Sequence, residues 1–173
     1  MADETVHDVE ETTVRAGLSE LEMRENVIRL AFGGDRHRYE RFLEALQSVL
    51  PQNTAAVLRG SAVTGVRFSD GSPFDADGPG SSDLDLTLVG GDVIGCYTAS
   101  GFYIPGVHSK PLSEKDPDIA PDLVPLRQRL MDLAGRPVNI QATRDFVMFV
   151  REHVMGQPYL TLCGKLEDER PGE

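Results

Sequence analysis

Two aspartates one residue apart, Asp83 and Asp85, are the first place where this sequence offers chemistry. Side chains at i and i+2 of an extended segment leave the same face of the backbone. Residues 83–89 (DLDLTLV) alternate strictly and predict a strand. Leu84, Leu86 and Leu88 then point into the core and both carboxylates point away from it. Two carboxylates held side by side repel each other unless a cation lies between them. Oxygen-only ligands select a hard ion, Mg²⁺ or Mn²⁺, and Mg²⁺ on one or two carboxylates completes its shell with water and substrate phosphate. An edge strand with an acidic solvent face would give the same pattern, so the pair alone leaves both readings open.

Gly60-Ser61 adds to it. Residues 55–59 (AAVLR) predict a short buried strand that ends at this dipeptide. Glycine lets the backbone approach a phosphate closely, serine adds a hydroxyl donor, and the start of a helix points free N–H groups at an anion. Gly-Ser after a strand is also a plain turn. The information lies in the order: strand, Gly-Ser, turn, then a strand bearing Asp-x-Asp. Arg59 alternates away from Leu58 and would face a phosphate or solvent.

With Gly60-Ser61 and Ser82-Asp83-Leu84-Asp85-Leu86 in this order, the sequence resembles the nucleotidyltransferase superfamily of DNA polymerase β type. It is most similar to the small, minimal nucleotidyltransferases of prokaryotes. The resemblance continues through residues 126–140 (LRQRLMDLAGRPVNI) and spans roughly residues 40–155. In the minimal enzymes a helix, a glycine, a basic residue and a strand with a third carboxylate follow in that order. The resemblance implies an α/β fold, a short mixed sheet flanked by helices. It implies Mg²⁺ (or Mn²⁺) held by Asp83 and Asp85, and a nucleotide triphosphate held by Gly60, Ser61, Arg59 and Ser82. A nucleoside monophosphate would pass to a hydroxyl of a protein or nucleic acid, RNA included. Family analogy alone adds one half of a toxin–antitoxin pair.

The sequence departs from the family in two ways. Asn139 stands where the third carboxylate is expected; its amide oxygen can ligate a metal but is neutral and cannot act as a base. Gln141, on the same face, has the same limitation. Gly60 and Asp83 also lie 23 positions apart, farther than in the minimal enzymes. The added length brings Asp70, Asp75 and Asp77, either solvated turn residues or a source of the missing charge. An EF-hand calcium loop fails, because no register leaves a Glu at the closing position. Two functional readings follow: an enzyme, or a catalytically impaired relative that binds a nucleotide or a partner protein.

The elements that must position these residues follow from periodicity and turn chemistry. Residues 18–32 predict a helix capped by Ser19 with Glu22 three residues on, its apolar side formed by Leu18, Leu21, Ile28 and Phe32. Gly33-Gly34 ends it, and Asp35 caps a second helix over 36–50, with Tyr39, Phe42, Leu43, Leu46, Val49 and Leu50 inward. Residues 65–82, rich in glycine, proline and aspartate, predict a long loop, and such loops inside a domain are functional or mobile more often than idle. Residues 101–120 predict a second loop around a short extended piece. A helix over 121–134 places Leu123, Leu126, Leu130 and Leu133 on one side. A strand over 137–142 and a helix over 143–155, with Phe146, Val147, Val150 and Val154 inward, complete the alternation of an α/β chain.

Composition bounds the function. The chain has 173 residues, 17 Lys+Arg against 28 Asp+Glu, and 40% hydrophobic residues, enough for one domain with a sizeable core. Residues 1–14 predict a disordered acidic tail, 15–160 the domain, and 161–173 an acidic C-terminal tail. Duplex wrapping is disfavoured, because the phosphate backbone demands a basic face. No apolar run reaches the length of a membrane span and the N-terminus lacks signal-peptide regions, so the expectation is a cytoplasmic protein with no membrane partner. Cys96 and Cys163 are too few for a disulfide framework or zinc site. His7, His37, His108 and His153 show no metal spacing, and Arg36, His37, Arg38 and Arg41 form a basic spot that reads as a solvated helix end or a phosphate contact.

Overall fold

A computed structural model describes residues 18–144 and 157–166. Helix α1 spans Glu20–Ala31. Ser19 caps it: its Oγ accepts from Glu22 N at 3.2 Å, and Glu22 Oε2 accepts from Ser19 N at 2.8 Å, which satisfies two otherwise orphaned donors. Met23, Val27, Ile28 and Ala31 form its buried stripe. Leu21, expected on that side, is 63% exposed; two positions from Met23, it falls on the opposite side of a 3.6-residue turn. Gly33 and Gly34 both take positive φ, and Asp35 caps helix α2, Arg36–Val49, by accepting from Arg38 N at 3.0 Å. Tyr39, Phe42, Ala45 and Leu46 are buried, whereas Val49, the last helical residue before the chain turns at Leu50-Pro51, is 49% exposed.

Six strands form one mixed sheet. They are β1 (Ala55–Arg59), β2 (Leu84–Val89), β3 (Phe102–Ile104), β4 (His108–Ser109), β5 (Val138–Thr143) and β6 (Tyr159–Cys163), in spatial order β3-β4-β5-β2-β1-β6. β2 and β5 run parallel; the other pairs are antiparallel. Short helices α3 (Ser61–Thr64) and α4 (Gly91–Ile94) follow β1 and β2, and α5 (Val124–Ala134) precedes β5. The architecture is α/β, as the alternation of elements predicts. β3 and β4 occupy the region read as a loop around an extended piece. Residues 161–163, which the charge pattern assigns to the C-terminal tail, are the second half of β6, and Leu166 beyond them is buried. The N-terminal tail, most of the helix expected over 143–155, and residues 167–173 lie outside the described residues; Thr143 ends β5.

The two faces of the sheet differ. Ala56, Leu58, Leu84, Leu86, Leu88, Val138, Ile140 and Leu160 join the helices in the main core, each fully buried leucine contributing roughly 1.5–3 kcal/mol. The alternate positions carry Arg59, Asp85, Thr87, Asn139 and Gln141, beside a small apolar group of Ala55, Val57, Val89 and Leu166. That alternation separates the polar row from the core. Among the described residues no helix is long and apolar enough to cross a membrane.

Candidate functional site

The register brings the polar row together. β1 pairs with β2 so that Arg59 lies opposite Asp85, and β2 pairs with β5 so that Asp85 lies opposite Asn139. Three residues distant in sequence thus stand side by side on one face. Asp83 lies one residue before β2 and is exposed. β5 is fixed on both sides of Asn139: Leu84 N donates to Pro137 O at 2.9 Å, Arg127 Nε donates to Val138 O at 2.7 Å, and Leu112 and Ile140 exchange backbone hydrogen bonds of 2.8 and 3.1 Å.

Asn139 bridges the two aspartates. Its Nδ2 donates to Asp83 Oδ2 at 3.0 Å and to Asp85 Oδ1 at 3.3 Å. The amide N–H groups therefore occupy the place where two carboxylates otherwise demand positive charge. Burial pushes the Asp85 carboxyl above the ordinary aspartate range and the Asp83 charge adds to this, while the Arg59 guanidinium and the Asn139 hydrogen bond oppose it. Arg59 itself reaches along the sheet and donates from Nη2 to Gln141 Oε1 at 3.0 Å.

Gly60 fits against this pair. Its φ of 96° and ψ of −162° lie in a region open to glycine alone. A Cβ there would sit 3.4 Å from Asp85 Oδ2. The backbone so passes directly over the carboxylate and turns into α3. Gly60, Ser61 and Arg59 form one wall of a cleft of about 470 Å³, with Asp83, Asp85 and Ser82 beside them. A smaller hollow of about 270 Å³, lined by Ser113, Glu114 and Lys115, meets the other side of Asp83 and Asn139. Asp83 lines both hollows.

Arg67, Phe68 and Ser69 of the loop of residues 65–82 also line the larger cleft, as does Gln157. None of these four is a candidate on sequence grounds. The loop carries two aromatic residues, Phe68 and Phe74, and only the structure separates them: Phe74 is buried and Phe68 is exposed.

The loop aspartates serve the loop itself. Asp75 accepts from Arg136 Nη1 at 2.8 Å, Ser82 N at 2.9 Å and Gly80 N at 3.2 Å. Burial works to raise its pKa, but the Arg136 hydrogen bond and the two amides outweigh it and hold the carboxyl at about 2. Asp77 pairs with Arg67 at 2.7 Å and Asp70 accepts from Ser72 N and Oγ. Among the described residues no group of three or more His, Cys, Asp or Glu is placed to hold a metal, so none of the three completes a set with Asp83 and Asp85. Ser82 Oγ accepts from Asp75 N at 2.8 Å, so this hydroxyl also serves the loop. The basic spot on α2 is likewise structural at two positions: Arg36 pairs with Glu25 at 2.7 Å, and Arg38 Nε donates to Leu133 O at 2.9 Å. His108 is buried with its ring stacked on Tyr103.

The donor set fits a hard divalent cation. It consists of two adjacent carboxylates facing an open polar cleft, with an amide that presents oxygen instead of nitrogen once its side chain turns over. No protein-family model, curated protein sequence or solved structure matches the chain.

Proposed function

We propose that this protein is a Mg²⁺-dependent nucleotidyltransferase that moves a nucleoside monophosphate from a nucleotide triphosphate to a hydroxyl of a protein or nucleic acid. The observation that carries the reading is the packing of Gly60 on Asp85, with Asp83 and Asn139 alongside, at the edge of a polar cleft. A volume of about 470 Å³ lies within the range of small-ligand sites.

The bond made joins the acceptor oxygen to the α-phosphorus; the bond broken releases pyrophosphate. Mg²⁺, when bound, neutralises charge on the phosphates and orients them for in-line displacement. Asp83 and Asp85 would hold it, and Asn139 would add its amide oxygen after turning over. Gly60 and Ser61 would lie along the phosphates. Arg59 and Arg67 add positive charge in the cleft lining. The smaller hollow, which shares Asp83 with the cleft, gives the acceptor hydroxyl a separate approach, with Lys115 in its lining. Asn139 cannot take the hydroxyl proton; among the described residues, Asp83 and Glu114 are the carboxylates that line the acceptor's hollow, with Asp85 in the adjoining cleft.

Asn139 also favours a second reading, nucleotide binding without turnover, because the site is one charge short of three carboxylates. Titration calorimetry of the four nucleoside triphosphates with Mg²⁺, into wild type and Asp83→Ala/Asp85→Ala, tests both. Pyrophosphate release with Mg²⁺ or Mn²⁺ is measured alongside. Metal-dependent binding lost in the variant, with pyrophosphate released, is the result expected of the enzyme. Binding without release in the presence of candidate acceptors favours the second reading, and no binding of any triphosphate overturns both.

A further inference from the structure

The loop of residues 65–82 holds one side chain that the metal–phosphate chemistry does not use. Phe68 is 71% exposed, and among the described residues that line the cleft it is the one aromatic. Isolated exposed apolar residues are ordinary on protein surfaces. Phe68 differs in where it is held and how firmly.

The loop around it is braced at every stage. Val66 and Pro73 pair as an antiparallel bridge, and Phe74 N donates to Gly65 O at 3.0 Å. Arg67 N donates to Ser72 O at 2.8 Å and Gly71 N donates back to Arg67 O at 2.9 Å, closing a tight turn with Phe68 and Ser69 inside it. Asp70 locks that turn by accepting from Ser72 N at 2.9 Å and Ser72 Oγ at 2.6 Å. Arg67 is fixed by Asp77 and lies within electrostatic reach of Asp83. The chain thus spends several hydrogen bonds to hold a bare ring beside a cleft whose other described walls are polar.

We infer that Phe68 is the stacking surface for the base of the nucleotide whose phosphates lie at Asp83, Asp85 and Gly60. The inference rests on the nucleotide reading above and extends it to base contact. An aromatic side chain in the lining of a polar cleft large enough for a small ligand suits a planar, weakly polar ring on a charged tail. Stacking accepts every base, since each has a π-face, so all four triphosphates bind and purines, with the larger face, bind more tightly. Arg67, next to Phe68, lines the same cleft and lies within electrostatic reach of Asp83.

Tripolyphosphate with Mg²⁺ separates base contact from phosphate contact. Calorimetry is run with it and with each Mg²⁺–nucleoside triphosphate on the full chain, as wild type, Phe68→Ala and Phe68→Leu. The ring is mostly solvent-exposed, so both variants should fold, and a thermal melt checks this. The expected result is triphosphate affinity about ten- to a hundredfold weaker in both variants, with tripolyphosphate affinity unchanged. Leucine fails to rescue because it has bulk without a π-face. The chain contains no tryptophan, so Phe68→Trp supplies a single indole, excited selectively over the tyrosines, whose emission should be quenched by MgATP in a saturable way. Wild-type affinity for all four triphosphates in Phe68→Ala overturns the inference and leaves the metal–phosphate reading standing. So does a wild type that binds tripolyphosphate as tightly as MgATP. If the wild type binds neither, the inference falls together with the proposed function.

Discussion

Asp75 and Arg136, 61 positions apart in the chain, are joined by two hydrogen bonds, Nη1 to Oδ1 at 2.8 Å and Nη2 to Oδ2 at 3.2 Å. Arg136 also donates to Ser82 O at 3.1 Å and lies over the Phe74 ring at 4.5 Å. Its side chain is 7% exposed and that of Asp75 is 20% exposed. Removing one partner of such a pair leaves the other charge uncompensated. Asp75→Asn should therefore cost roughly 2–3 kcal/mol, below the usual figure for a fully buried pair because water still reaches Asp75. Urea denaturation measures it; a variant within ~0.5 kcal/mol of wild type, the ordinary surface range, would show the pair to be ornamental.

The same pair predicts an acid dependence with a definite sign. The folded-state pKa of Asp75 is depressed from 3.8 to about 2. Between those values the unfolded chain binds more protons at this site, so stability rises with pH there. The contribution, roughly 2 kcal/mol, is fully present above about pH 4 and fades as pH falls toward 2. The stability gap between wild type and Asp75→Asn should narrow over that window. A gap that stays constant from pH 5 down to pH 2.5 contradicts the assignment.

Asn139→Asp tests what lies between the two aspartates. The substitution replaces two donated hydrogen bonds with a third negative charge beside Asp83 and Asp85. Without divalent metal the variant should be less stable than wild type by about 1–3 kcal/mol. Millimolar Mg²⁺ or Mn²⁺ should restore it through preferential binding to the folded state. Thermal melts with and without metal, at matched ionic strength, read both effects. A variant as stable as wild type in chelator, or one indifferent to metal, would remove the cation from the proposed chemistry.

Gly60→Ala and Gly65→Ala form a matched comparison. Both glycines have positive φ, 96° and 86°. Gly65 ends α3 in the left-handed region with open space around a Cβ, so alanine there should cost about 1 kcal/mol and leave the cleft intact. Gly60 occupies a region that side chains avoid altogether, and its Cβ would touch Asp85 Oδ2 at 3.4 Å. Alanine there should cost about 1–3 kcal/mol and also weaken binding of the Mg²⁺–triphosphate. Equal losses of binding in the two variants would mean that the contact between Gly60 and Asp85 has no special place.

Local signals made much of this legible. The Ser19–Glu22 capping box, the Asp35 cap, the glycine stops and the Asp83–Asp85 alternation are written in neighbouring residues, and all of them stand in the structure. β6 was not legible: five residues beside an acidic terminus make a strand only because β1 offers them an edge. Asp75 looked like one turn aspartate among three. Its distinction comes from Arg136, which no window around residue 75 contains. Leu21 and Val49 misled because an apolar residue near a stripe need not lie within it. The juxtaposition of Asp83 and Asp85 with Asn139 was expected by family resemblance, but its form, an amide donating to both, depends on side-chain geometry that spacing does not encode.

The attachment of the loop to Arg136 sets an order of events during synthesis. Residues 65–82 contain no helix or strand of their own, and the guanidinium that pins Asp75 and Ser82 comes from just ahead of β5. A nascent chain emerges N-terminus first. β1 and β2 can therefore pair as a hairpin while the loop between them has its internal hydrogen bonds but not yet its link to Arg136. The loop acquires that link only after residue 136 has left the ribosome, at nearly the same moment as Asn139. Gln157, which also lines the cleft, follows later still, so a chain halted before residue 136 carries Asp83 and Asp85 beside a loop that Arg136 has not yet fixed.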